Sequence, residues 1–259
     1  MRTIWILVLV TLSVVVYAQD GVPELITDRP DQTESSSVVP LNSLQIETGF
    51  VRENNKTDDA RLISFAYNTT LLRFGLFNNF ELRLGIDYLG EDVLANDTGV
   101  SDIYSGFGPL YTGFKVKIAE EDGWRPEVAF LGGLALPFTA NKDFKTDYSA
   151  LSSRFSFGHS FSERISLGYN IGVEWDGETP VPGYIYSAAL GVGLTEKLGV
   201  FLEGFGLIPE EGGVEHLCDA GFTFLVLQNF QLDVSGGIGI NENAIDNFFS
   251  FGFSYRFFK

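Results

Sequence analysis

The side chains that could do chemistry are scattered along the chain rather than gathered in a motif. Glu47, Glu81, Asp87, Glu127, Glu174, Glu203, Asp219 and Asp233 supply acid, and Arg73, Arg83, Lys115, Lys117, Arg154 and Arg256 supply base. A pair such as Glu47 and Glu81 would serve as general acid and base only in a pocket that splits their proton affinities. With cationic residues interspersed along the same chain, mutual charge pairing is the reading these residues favour. His159 stands in Gly158-His159-Ser160 and His216 follows Glu215, but no nucleophile motif accompanies either. One cysteine, Cys218, and two histidines build no Cys-based zinc site, disulfide framework or haem attachment motif. Gly106-Phe107-Gly108, Gly191-Val192-Gly193 and Gly237-Ile238-Gly239 are not followed by a helix signal, so they are read as strand curvature and not as phosphate loops. The sequence therefore asks for no cofactor, no metal and no enzyme activity. Acidic residues number 34 against 17 basic, and the net charge of −17 repels a phosphate backbone, which excludes nucleic acid as a partner.

What must position these groups is a pattern of period two. Leu44, Ile46 and Phe50 oppose Gln45, Glu47 and Gly49. Ile63, Phe65, Tyr67 and Leu71 oppose Ser64, Ala66, Asn68 and Thr70, with a bulge expected before Phe74. Phe80, Leu82, Leu84, Ile86 and Tyr88 oppose Glu81, Arg83, Gly85 and Asp87. Similar segments follow near 110–118, 128–136, 148–159, 165–175, 184–194, 200–203, 219–226, 230–240 and 249–257, twelve in all. A soluble sandwich would alternate in the same way. Two features favour a barrel over it. The non-apolar face is rich in Gly, Ser and Ala instead of the long Lys and Glu of a solvated sheet, which suits a crowded, curved interior. Connections also alternate in length, short at 78–79, 120–123, 162–164, 195–197 and 228–229, longer near 54–60, 90–100, 138–147, 176–183, 209–216 and 241–247. The composition agrees, with 24 Phe and 29 Gly favouring strands over helices.

The predicted fold is all-β, a transmembrane antiparallel up-and-down β-barrel of about twelve strands over residues 43–259. Residues 1–18, one Arg and then an apolar run ending in Val16-Tyr17-Ala18, read as a cleaved secretory signal rather than an anchor, because the run is too short to span. No Cys stands at the cleavage position, so a lipoprotein is excluded. With the cleaved end in the periplasm, the short turns lie on that side, the long loops lie outside, and the location is the bacterial outer membrane. Aromatic residues then fall at both interfaces, Tyr88, Trp175, Tyr184 and Tyr186 toward the outer rim, and Phe80, Trp124, Phe161, Phe230 and Phe257 toward the inner. Residues 19–42 have neither strand nor helix periodicity. They form either a mobile periplasmic lead or a segment inserted in the lumen, with Arg29 meeting an inward carboxylate such as Glu47 or Glu203.

The stretch Ile26-Thr27-Asp28-Arg29-Pro30-Asp31-Gln32-Thr33-Glu34-Ser35, followed by Leu44-Gln45-Ile46-Glu47-Thr48-Gly49-Phe50, resembles the opening of a family of bacterial outer-membrane transporters labelled for a meta-pathway of phenol degradation. Asn79-Phe80-Glu81-Leu82-Arg83-Leu84-Gly85, Gly113-Phe114-Lys115 and Gln231-Leu232-Asp233 are similar to strand openings of that family. The resemblance runs from about residue 24 to the end and implies a small barrel. Ser250–Phe257 is similar to the C-terminal targeting signal of such barrels, in which Gly252, Tyr255 and Phe257 carry recognition. Lys259 departs from it, since many barrels end on an aromatic.

The candidate sites follow. The charged lumen lining is Glu47, Glu81, Arg83, Asp87, Lys115, Glu127, Arg154, Glu174, Glu203, Asp219, Asp233 and Arg256. The N-terminal motif is Asp28, Arg29, Pro30, Asp31 and Glu34. Opposite charges facing one lumen set up transverse fields that sort small polar or charged solutes. The function expected is passive or gated transport of small molecules across the outer membrane. The alternative is a filled, non-conducting barrel that serves as a surface receptor, anchor or structural protein. The partners expected are outer-membrane lipid, the barrel-insertion machinery and a small solute.

Overall fold

The structure is a computed structural model that describes residues 23–56, 60–95, 101–210 and 212–257. The signal segment 1–18 and Lys259 lie outside the described residues. Thirteen strands form one antiparallel sheet: β1 Leu44–Lys56, β2 Ala60–Phe77, β3 Phe80–Ala95, β4 Ser101–Phe107, β5 Leu110–Ala119, β6 Glu127–Leu136, β7 Ala150–Ser162, β8 Ile165–Glu174, β9 Gly183–Gly193, β10 Leu198–Pro209, β11 Glu215–Leu227, β12 Phe230–Gly239 and β13 Asn247–Phe257. Consecutive strands pair, except that β4 and β5 both pair with β3, and β13 pairs with β1 over Asn54–Leu44, so the sheet closes into a barrel with no free edge along its main course.

The twelve staves predicted are present, one of them in two pieces. β4 pairs with the outer half of β3, Tyr88 to Leu94, and β5 with its inner half, Phe80 to Gly85. Between them lies Gly108-Pro109, and a proline offers no N–H to a ladder. The far edge at this break is covered by the connection after β6. Asn141 donates its N–H to Phe107 O at 2.8 Å and accepts from Phe107 N–H at 2.6 Å, and Thr139 Oγ1 accepts from Leu110 N–H at 2.8 Å.

The barrel is packed inside out. Its largest fully buried side chains are Arg73, Arg256, Lys115, Gln45, Glu47, Glu81 and Glu203, whereas Leu82, Leu202, Phe222, Phe224, Leu232, Phe251 and Phe253 stand exposed on the exterior. An apolar outer face over a polar interior is the arrangement that lipid requires of a spanning barrel. Short turns at 78–79, 163–164, 194–197 and 228–229 share one rim with the longer turn 120–126, while the connections 137–149, 175–182 and 240–246 lie on the other.

Three face assignments on β2 are corrected: Asn68 and Thr70, read from the sequence as inward, stand opposite Tyr88 and Ile86 on the outer face, and Leu71 turns inward. Leu71, read from the sequence as lipid-facing, stands opposite Glu47 and Gly85 and lines the lumen. The register of β2 slips between Ala66 and Asn68, well ahead of the bulge expected before Phe74, and a second slip follows between Gly75 and Phe77. An extra residue in one strand inverts the alternation beyond it.

Candidate functional site

The site begins where the chain enters β1. Asn42 takes a left-handed conformation, φ 60°, and its N–H donates to Gly75 O at 2.8 Å, which turns the chain from the barrel interior into the wall. A Cβ on Gly75 would stand 2.2 Å from Pro40 O, so only glycine lets the entering chain lie this close to β2. Before that turn, residues 23–41 run among the inward side chains of the barrel.

Asp28 is the centre of their contacts. Lys115 Nζ donates to Asp28 Oδ1 at 2.9 Å, Arg83 Nη1 donates to Oδ2 at 2.7 Å, and Arg73 Nη1 lies 3.0 Å from Oδ2. Arg73 also donates to Glu47 and to Glu81, at 2.8 Å each, and Arg83 donates to both oxygens of Glu34. Burial pushes the Asp28 carboxyl up, but the charges of Arg73, Lys115 and Arg83 outweigh it and hold Asp28 well below the ordinary carboxylate range.

The wall carboxylates have a second role. A segment without a ladder must still find acceptors for its buried N–H groups. Glu47 Oε2 accepts from the N–H of Asp28 at 2.9 Å and of Arg29 at 3.1 Å, Glu81 Oε2 from Val39 at 2.7 Å, and Glu203 Oε2 from Gln32 at 2.8 Å.

Arg29 was expected on an inward carboxylate such as Glu47 or Glu203, and its guanidinium lies on another of them, Asp233, with Nη2 donating to Oδ1 at 2.9 Å and to Ser250 Oγ at 3.0 Å. The seat is a pair of facing glycines, Gly49 on β1 and Gly252 on β13, where a Cβ would come within 2.4–2.6 Å of Arg29. Only the register of the closing seam sets the two glycines face to face, so the sequence alone did not mark this place.

On the opposite wall the contacts are neutral or anionic. The Thr33 hydroxyl donates to Glu203 and accepts from Ser187 Oγ at 2.7 Å, and Glu34 exchanges backbone hydrogen bonds with the Asn170 amide at 2.8 and 3.0 Å. Sequence reasoning missed Ser187 and Asn170, which carry no charge to mark them. Ser36 and Ser37 donate to Glu127 at 2.8 Å, and Lys117 stands 3.5 Å from the same carboxylate. At the inner end Arg256 donates to the carbonyls of Glu24 and Pro23.

Open space remains on both sides of Gln32–Glu34. Toward the outer rim lie cavities of about 320 and 420 Å³, which share Arg154 and Glu174, 3.5 Å apart, and reach Asp87 on one side and Phe205, Leu207, Leu217 and Ile245 on the other. Toward the inner rim lie two of about 500 Å³, floored by Asp31 and walled by Gly158, Gly168, Gly191 and Ser166. All the predicted lumen charges thus face one interior, and Pro30 is buried among them. Tyr255 and Phe257 stand on the lipid face of β13, and Gly252 stands on the lumen face beneath Arg29. The two histidines are elsewhere. His159 stacks with Phe161 and Tyr169 on the exterior, and His216 Nδ1 meets the Tyr186 hydroxyl outside the lumen.

Comparison with known proteins bears on this arrangement. The family described as "Putative MetA-pathway of phenol degradation" matches residues 27–257. The chain belongs to this family. Among curated protein sequences none matches. Of solved structures, the chain is similar to the COG4313 outer membrane channel from Pseudomonas putida F1, with 12% identity, TM-score 0.67, 85% of this chain and 97% of that one covered. It is also similar to the NanC porin, with 8% identity, TM-score 0.50 and coverage of 82% and 98%. A third likeness is to the transport unit of the autotransporter AIDA-I from Escherichia coli, with 8% identity, TM-score 0.50 and coverage of 84% and 89%. At these identities the likeness is one of fold, the twelve-stave outer-membrane barrel, and it agrees with the apolar exterior and polar lumen described above.

Proposed function

We propose that this family member is an outer-membrane channel for passive or gated passage of small molecules, with residues 23–42 acting as its gate. The observation that carries the reading is the pair of water-accessible spaces on either side of Gln32–Glu34, with a strongly charged attachment on β1–β5 and, through Asp233, on β12, and a weaker attachment on β8–β10 made by Asn170, Ser187 and Glu203. A segment fastened firmly on one side and lightly on the other opens by parting from the lighter side. The lining of the outer space suits solutes with a polar group and an apolar or aromatic body, since Arg154 and Glu174 line one cavity together with Phe205, Leu207 and Ile245. The phenol-degrading context of the family description is compatible with such a solute.

A second reading rests on the density of the charged network, which fills the lumen beside β1–β5: a closed barrel that acts as a surface receptor or anchor. Single-channel recording on the full chain in planar bilayers separates the two. Discrete ion-conducting steps support the channel, and silence at every voltage supports the closed barrel. The insertion machinery of the outer membrane is the partner proposed for assembly, reading Gly252, Tyr255 and Phe257 on the closing strand.

A further inference from the structure

Three buried oxygens on neighbouring strands have no hydrogen-bond partner among the described residues: both Oδ atoms of Asp219 and the Oγ of Ser235. Each residue is 3% exposed. The register gives the reason. Asp219 stands opposite Glu203 on β10 and opposite Gly237 on β12, so one neighbour is a like charge and the other has no side chain. Ser235 lies two residues along β12, opposite Gly221 on β11, where nothing projects, and opposite Ser250 on β13, whose Oγ accepts from Arg29. Asp219 and Glu203 therefore stand side by side on the lumen face of adjacent strands.

No counter-charge is in place. The cation of the lumen segment, Arg29, is engaged by Asp233, and among the described residues no Lys or Arg forms an ion pair with Glu203 or Asp219. Two carboxylates side by side and out of water need a positive charge between them or a shared proton.

We propose that Glu203, Asp219 and Ser235 form a calcium site in the barrel wall. The donors are all oxygen, which selects a hard cation, and they come from three adjacent strands at the wide spacing of a sheet. Ca2+ tolerates such a spread at 2.3–2.6 Å with six to eight ligands, whereas Mg2+ demands a tight octahedron. Among the described residues no group of three or more Asp, Glu, His or Cys is placed to hold a metal ion, so the third protein donor here is a hydroxyl. Hydroxyls and water fill the shell, and affinity falls in the weak range, Kd on the order of 10⁻⁴–10⁻³ M. Glu203 also receives Gln32 N–H and Thr33 Oγ1, so the ion would steady the wall to which the lumen segment is lightly fastened. The site stands whether or not the barrel conducts.

The test uses the full barrel refolded without lipopolysaccharide, which itself binds divalent ions, with Ca2+ alone as the probe. Equilibrium dialysis with radioactive calcium should find one ion per chain. Asp219→Asn keeps the fold, because its amide donates to Glu203, and should weaken binding at least about tenfold, the effect of losing one of two charged ligands. Ser235→Ala should weaken it less. Glu196→Gln, which removes the same charge from an exposed turn, should leave it unchanged. Absence of saturable binding in the wild type up to about 10 mM, ten times the weakest constant of such sites, would mean that a proton neutralises the pair and would overturn the proposal. Equal binding by wild type and Asp219→Asn would overturn it as well.

Discussion

Asp28 accepts from Lys115, Arg83 and the Ser35 hydroxyl and lies 3.0 Å from Arg73, so a neutral amide at this position leaves three buried cations short of one anion. Breaking a buried ion cluster from one side costs about 3–5 kcal/mol. Asp28→Asn should therefore speed amide exchange across residues 23–42 by orders of magnitude while the strands stay protected, and unchanged exchange would show that the cluster does not hold the segment. The pH dependence has a definite sign. The folded-state pKa of Asp28 is depressed, so its contribution is fully present above its unfolded value of about 3.9 and is lost as pH falls through the lower folded value. The part of the protection factor of residues 23–42 that Asp28 supplies, read as the difference between wild type and Asp28→Asn, should thus be the same at pH 5 as at pH 7 and should shrink only in stronger acid. Arg29 shows the limit of reading at this scale. A charge in the sequence announces a partner, but Glu47, Glu203 and Asp233 are equivalent until the barrel closes, and the glycine pair Gly49 and Gly252 then makes room beside only one of them.

Within the strands, period two decides which residues meet lipid, and bulges decide where that period changes phase. Leu84 and Leu71 are the same residue type on paired strands but on opposite faces, since Leu84 stands opposite Leu72 and Leu71 opposite Gly85. Arg at position 84, near the middle of its strand, should cost about 2–4 kcal/mol, and Arg at position 71, within reach of Asp87 and Glu174 around the outer cavity, should cost much less. Reversible folding into liposomes measures both. Equal costs would place the slip at Ala66–Asn68 in error. The closing strand makes a separate claim. Tyr255 and Phe257 are in ring contact on the lipid face, and β13 must both present the targeting signal and seal the barrel against β1. Tyr255→Ser with Phe257→Ser should leave the chain in the periplasm, where proteases remove it. Normal outer-membrane levels of the double variant would show that the signal lies elsewhere.

For the whole molecule, the decisive question is whether the lumen segment is a gate. Deleting residues 20–40 removes Asp28, Arg29, Thr33 and Glu34 together but leaves the ladder β13–β1 intact, so the barrel should still fold and its conductance should rise or its size limit widen. Conductance equal to that of the full chain would mean that passage does not run past Gln32–Glu34. The segment also shows how the two levels of information divide. The strand number, the lipid-facing and lumen-facing residues of nearly every stave, the sides of the short and long connections and the charged nature of the interior were all legible in the sequence, because side-chain alternation and turn chemistry act between residues a few positions apart. The split of one stave at Gly108-Pro109 and the changed face of Leu71 were not, since each depends on which residue a neighbouring strand sets opposite. Least legible was the course of residues 23–42. Asp28 reaches Glu47 across 19 positions, but Arg29 reaches Asp233 across 204, a separation that vanishes only when β13 closes on β1. Asp219, by contrast, is set against Glu203 and Gly237 by the register of the β10–β11 and β11–β12 hairpins, which leaves its carboxylate without a donor. Local periodicity made the barrel; which charges meet inside it, and which are left over, was decided by the tertiary fold, because a buried charge takes its partner from whatever the closed sheet brings within reach.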